Sequence, residues 1–154
     1  MNTQFLTCDG QQHVRRELEY LRTVKRAQVA HYLREALEAG DVIRNAAFED
    51  ARFEQARLEA RIAELEQLLA TAQVIDLDQV PTDAVSLGSV VHLATNDDRT
   101  YRYTIVGSYE ADPTDGRISN ESPVGKALLG RKVGDQVLVT TPGGVKAYTI
   151  LGIE

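Results

Sequence analysis

Between Asp41 and Val80 the chain contains neither glycine nor proline, and apolar residues recur there as Phe48, Ala51, Leu58, Ile62, Leu65, Leu69 and Ala72. The spacing is a 3-4-3-4 heptad, interrupted once by the polar Gln55. A stripe this narrow, held over more than three heptads, is the seam of a coiled coil rather than the wider face of a helix on a globular core. Charges of opposite sign stand three residues apart outside the seam, as Glu49/Arg52, Glu54/Arg57 and Arg61/Glu64. Each such pair contributes only a few tenths of a kcal/mol, but all three agree with a solvated helix. A helix over residues 45–73 would be about 43 Å long at 1.5 Å per residue.

A seam needs a partner, and the preceding segment supplies one. Val14, Leu18, Leu21, Val29, Leu33, Ala36 and Leu37 fall broadly on one face of a helix over residues 11–39, with a slip of phase between Leu21 and Val29. Thr7 and Asp9 are the candidate N-caps. Gly40 ends the helix, because glycine readily takes the left-handed cap conformation. Two long helices joined by a few residues around Gly40 and Asp41 must fold back antiparallel, so the expectation is a helical hairpin reaching beyond any globular body.

After Asp76 the grammar changes. Asp76, Asp78, Pro81, Thr82 and Asp83 read as a linker over residues 77–83. Beyond it come β-branched runs at residues 89–93 and 101–106, joined by Asn96-Asp97-Asp98, and at 137–140 and 145–150, joined by Pro142-Gly143-Gly144. Pro123 to Leu129 reads as a short helix opened by Ser122-Pro123 and closed by Gly130. The fold class is therefore α+β: a coiled-coil hairpin over residues 1–76, then a small domain with an antiparallel sheet over residues 84–154.

Charge narrows the partner. The net charge is −6; residues 1–76 carry 10 Lys and Arg against 13 Asp and Glu, and residues 77–154 carry 7 against 10. Neither half is a basic domain, which argues against binding nucleic acid through a broad cationic face and favours a protein partner. Cys8 is the sole cysteine, so neither a disulfide framework nor a thiolate metal cluster is available. His13, His31 and His92 are scattered and do not read as ligands. No apolar run approaches a membrane span and the N-terminus has no signal-peptide core, so a cytoplasmic protein is expected.

Three stretches resemble the Gre transcript-cleavage factors of bacterial RNA polymerase. Residues 40–48 read Gly-Asp-Val-Ile-Arg-Asn-Ala-Ala-Phe, against a family pattern of Gly-Asp-Leu-x-Glu-Asn-Ala-Glu-Tyr. The descending helix, from Arg61-Ile62-Ala63-Glu64-Leu65-Glu66 to Ala72-Gln73-Val74-Ile75-Asp76, follows the family closely. Ser119-Asn120-Glu121-Ser122-Pro123 matches the second Gre signature, Ser-x-x-Ser-Pro, and Thr141-Pro142-Gly143-Gly144 is also typical. The resemblance implies an FKBP-like second domain that grips a coiled coil of the polymerase β′ subunit, with Ser119, Asn120, Glu121, Ser122 and Pro123 in the contact region. It implies that the hairpin reaches down the secondary channel to the active centre as a monomer. There Asp41, Arg44 and Asn45 form the acting tip, Asp41 meets a Mg²⁺ of the polymerase, and the nascent RNA 3′ end is met indirectly, with Arg34 and Arg52 near it.

The tip departs from the pattern. Arg44 stands where the family has its second carboxylate, Ala47 replaces another Glu, and Leu37 occupies a position that tends to be Arg. Glu49 and Asp50 are the remaining acids nearby. Two-metal hydrolysis needs its second Mg²⁺ anchored by oxygen ligands, so the expectation is a channel-binding regulator with weak or absent cleavage stimulation. The alternative is an ordinary cleavage factor using Asp41. A free-standing prolyl isomerase is disfavoured, since fold does not imply function and a chain with no Trp is poorly equipped to line a proline pocket. A coiled-coil adaptor for some other protein is the remaining class.

Overall fold

The computed structural model describes residues 3–39 and 41–154, and for residues 41–45 the backbone alone. The chain divides into two compact units, Gln11–Thr71 and Met1–Gly10 with Ala72–Glu154.

The first unit is a helical hairpin. Its first arm runs through α1 (Cys8–Tyr20), a π-helical turn (Leu21–Lys25) and α2 (Arg26–Glu38); its second is the single helix α3 (Asp41–Thr71). Salt bridges join Arg26 to Glu59 at 2.8 Å and Arg22 to Glu66 at 2.6 Å, so stepping back along the first arm moves forward along the second. That is the antiparallel arrangement. The middle of the seam is buried, with Val14, Leu18, Val29 and Ala36 facing Ala51, Leu58, Ile62 and Leu65. Leu21, Leu33, Phe48, Leu69 and Ala72 are only half-buried, Gln55 is exposed, and Leu37, expected on the seam, is exposed instead. Fully burying a Leu, Ile or Val contributes about 1.5–3 kcal/mol, whereas exposed ion pairs add about 0–1 kcal/mol each. The apolar seam therefore holds the hairpin and the ion pairs tune it.

The π turn explains the slip of phase. From Leu21 to Val29 is eight residues, one more than a heptad, and the wider turn takes up the extra residue so that Val29 returns to the seam. The Thr23 hydroxyl donates to the Glu19 carbonyl at 2.7 Å, supplying a side-chain partner to a carbonyl just before the widened turn.

The second unit is a five-stranded sheet with one short helix. Its strands are β3 (Val90–Thr95), β4 (Thr100–Val106), β5 (Arg117–Ser119), β6 (Gln136–Thr141) and β7 (Gly144–Ile153), in the order β5-β4-β3-β7-β6. All pairs are antiparallel except β4 with β5, which run parallel. Alternation puts Val91, Leu93, Ile105, Val137, Val139 and Ile150 on one face, and Leu128 of α4 (Pro123–Leu128) is fully buried in the same core. Three tyrosines cluster here: Tyr101 stacks on Tyr103 at 5.7 Å and meets Tyr148 edge-on at 6.4 Å. Burial first, then the neighbouring tyrosines, pushes the Tyr103 hydroxyl pKa up.

A second, two-stranded sheet also belongs to this unit. β1 (Phe5–Thr7) pairs parallel with β2 (Gln73–Ile75). Thr7 is its lock. The Thr7 amide and hydroxyl both donate to the Glu110 carboxylate, at 2.7 and 2.5 Å, and the same hydroxyl accepts from the Gly10 amide at 3.0 Å as the N-cap of α1. The Phe5 carbonyl lies so close over Gly107 that a Cβ at that position would overlap it. Glu110→Ala leaves the buried Thr7 amide without its acceptor and is expected to cost about 2 kcal/mol. Thermal unfolding should show a midpoint about 5 °C lower; an unchanged midpoint would mean that Glu110 does not lock this strand.

Among the described residues, no helix is long and apolar enough to cross a membrane.

Candidate functional site

The loop between β5 and α4 is built by backbone before side chains. The Asn120 amide donates to the Val106 carbonyl at 2.9 Å, tying the loop to the end of β4. Ahead of it, Asp112 starts the turn into β5: its carboxylate accepts from the Thr114 hydroxyl at 2.6 Å and amide at 3.2 Å. The Thr114 hydroxyl is the main reason the Asp112 carboxyl is held below the usual carboxylate range.

Ser122 is the N-cap of α4. Its hydroxyl accepts from the Gly125 amide at 3.1 Å and donates to the Ser119 carbonyl at 2.6 Å, while Pro123 fills the first helical position. Serine as cap with proline after it is what that position favours, since proline lacks the N–H a first turn would leave unpaired. The five residues thus divide into two groups. Ser119, Asn120 and Ser122 are half-buried and hold the loop's shape, whereas Glu121 and Pro123 are exposed.

One participant has no counterpart in the sequence reading. Ser108 opens a 3-10 turn (Ser108–Glu110) after β4, and its hydroxyl lies 2.9 Å from the Ser119 hydroxyl and 2.8 Å from the Glu121 carboxylate. The Glu121 amide donates to the Ser119 hydroxyl at 3.0 Å. A serine 11 residues from one partner and 13 from the other carries no local signal. The only cue was its place just beyond a strand end, next to Gly107.

At the far end of the hairpin, Asp41, Arg44 and Asn45 lie outside the residues whose side chains are described. Ala47 and Phe48 are half-buried, and Glu49 and Asp50 are exposed. The Arg52 guanidinium stands 5.8 Å from the centre of the Phe48 ring. Arg34 is exposed, and Leu37 is 52% exposed. Phe53, 65% exposed, has the Arg57 guanidinium 6.0 Å from its ring centre. Nearer the middle, the hydrogen bond from Arg26 holds the Glu59 carboxyl below its usual range. Among the described residues, no group of three or more His, Cys, Asp or Glu side chains could hold a metal ion.

Comparison with known proteins covers nearly the whole chain. The family described as "Transcription elongation factor, N-terminal" matches residues 4–74, and "Transcription elongation factor, GreA/GreB, C-term" matches residues 80–154. The chain is 50% identical over 150 residues to "Transcription elongation factor GreA" of Acetivibrio thermocellus, covering 97% of this chain and 94% of that protein. It is 46% identical over 150 residues, with the same coverage, to the protein of that name from Clostridium botulinum strain Langeland. Among solved structures, the GreA factor homolog 1 (Gfh1) protein of Thermus thermophilus is 31% identical over 99% of each chain, with a TM-score of 0.44.

Proposed function

This chain belongs to the GreA/GreB family of transcription elongation factors, and on that premise we propose that it binds bacterial RNA polymerase and modulates RNA synthesis from within the secondary channel, with little stimulation of RNA cleavage. The loop at Ser119–Pro123 takes the β′ coiled coil, and the hairpin carries Asp41 to the active centre. The site of action is the cytoplasm, where the polymerase works.

The observation that carries the weak-cleavage reading is the composition of the tip. Asp41 supplies one carboxylate, and the next positions where the family pattern has acids hold Arg44 and Ala47. Hydrolysis by two metals requires the second Mg²⁺, which belongs to the polymerase, to be anchored by oxygen ligands. One carboxylate beside a guanidinium anchors it poorly, because the cation repels the metal it should help retain. Arg34 and Arg52 are proposed to stand near the RNA 3′ end.

The reading is tested on stalled, backtracked elongation complexes. With this protein added, the RNA should shorten at close to the rate of polymerase alone, and elongation on the same template should slow. A second reading, an ordinary elongation factor that stimulates cleavage through Asp41, is favoured by the 50% identity to a protein named transcription elongation factor GreA. Rapid shortening that disappears with Asp41→Ala would establish the second reading and end the first.

A further inference from the structure

We infer that Ser108 is a positioning residue that presents the Glu121 carboxylate to a cationic side chain of the polymerase. The inference rests on the polymerase-binding reading and adds to it a residue outside the signature and the chemistry of what the loop meets.

The direction of each hydrogen bond follows from the groups. A carboxylate only accepts, so the Ser108 hydroxyl donates to Glu121 at 2.8 Å. Having given its one proton there, Ser108 must accept from the Ser119 hydroxyl 2.9 Å away. Ser119 in turn accepts from the Glu121 amide at 3.0 Å. The result is a closed ring in which Glu121 is both first donor, through its amide, and last acceptor, through its side chain. Links arranged head to tail polarise one another. A glutamate on an exposed loop would otherwise spread over many rotamers, and fixing one before contact lowers the entropy that binding must overcome.

The rest of the loop shows which way the fixed group serves. The Ser119 and Ser122 hydroxyls are both taken up within the fold, Ser119 by Ser108 and the Glu121 amide and Ser122 by the Ser119 carbonyl and the Gly125 amide, and Asn120 is tied by its amide to Val106. Glu121 is exposed although its amide and carboxylate are both engaged, with exposed Pro123 two residues on. An ordered anion beside an exposed apolar ring fits an arginine or lysine on a partner surface, as charge-assisted contacts of this kind set specificity and association rate.

The test is a double-mutant cycle read by fluorescence anisotropy of the labelled protein against core polymerase. Ser108→Ala should weaken binding about three- to tenfold, the range of one ordinary hydrogen bond, with an unchanged unfolding midpoint. Ser108→Thr, which keeps the hydroxyl, should restore affinity. In a Glu121→Ala background Ser108→Ala should cost nothing further. Equal losses in both backgrounds, or no loss in the first, would overturn the positioning role. In the free protein the Glu121 amide resonance should move with Ser108→Ala and return with Ser108→Thr; a resonance that stays put overturns the ring. Glu121→Gln should bind less tightly and with a shallower salt dependence, and an unchanged salt dependence overturns the cationic partner. Failure of the wild-type protein to bind polymerase would sink the polymerase reading and this inference together, whereas normal wild-type binding with indifferent variants sinks this inference alone.

Discussion

Exchanging Arg44 for glutamate should raise the rate at which backtracked polymerase shortens its RNA by about a hundredfold, without weakening binding. The expected gain is electrostatic in origin. A charge about 6 Å or less from a Mg²⁺ in a partly desolvated channel interacts with it by several kcal/mol at an effective dielectric near 20. The exchange reverses the sign of that charge and adds an oxygen ligand. Even about 3 kcal/mol of the difference, expressed in the transition state, is about a hundredfold in rate. Arg44→Ala separates the contributions, since it removes the repulsion and adds no ligand; it should fall between wild type and Arg44→Glu. Asp41→Ala placed on Arg44→Glu should abolish the gain, because the new carboxylate is expected to act as the second of a pair. The measurement is the fraction of RNA shortened with time at fixed Mg²⁺. If Arg44→Glu binds polymerase and cleaves no faster, the charge at residue 44 is not what limits this tip.

The hairpin was legible because its signal is long and periodic. Six of the seven apolar positions fall in α3, Ala72 lying just past its end, and no glycine or proline contradicts them. The slip between Leu21 and Val29 was equally visible, but not its form: a helix can absorb one residue as a π turn or as a kink, and the heptad count does not choose between them. The four longer strands and α4 were legible for the usual reasons, β-branched runs and a Ser-Pro start. The three-residue strands were not. Phe5–Thr7 and Gln73–Ile75 are too short for alternation to register, and their pairing is fixed by groups far off in sequence, Glu110 above all. β5 is equally short, and its parallel register on β4 depends on the Asp112 turn that precedes it. The candidate loop shows the same divide. Ser119 to Pro123 form one contiguous motif, whereas Ser108 comes to them only through the fold.

An alanine at Gly125 should unfold this loop's function before it unfolds the protein. Inside a helix, replacing glycine by alanine ordinarily stabilises by up to about 1 kcal/mol. Here the sign reverses. Gly125 is buried, and a Cβ would overlap the Ser119 carbonyl oxygen while lying 3.0 Å from its carbonyl carbon and 3.1 Å from the Ser122 hydroxyl. The obstacle is backbone, so no rotamer change relieves it; either α4 lifts or the Ser119–Ser122 turn opens. Overpacking of this kind costs about 1–3 kcal/mol, and the displaced turn also loses the Ser122 cap, about 1 kcal/mol more. An unfolding midpoint about 5 °C or more below wild type is expected. Binding should suffer more than stability suggests, because at temperatures where the variant is fully folded the clash persists in the loop itself. The ring through Ser108, Ser119 and Glu121 cannot close once Ser119 moves, so polymerase affinity should fall by more than the loss from Ser108→Ala alone. The two measurements together discriminate: a lower midpoint with wild-type affinity in the folded range would mean that this loop does not carry the contact. Affinity lost alongside an intact sheet, seen by circular dichroism, would place the contact on residues 119–123.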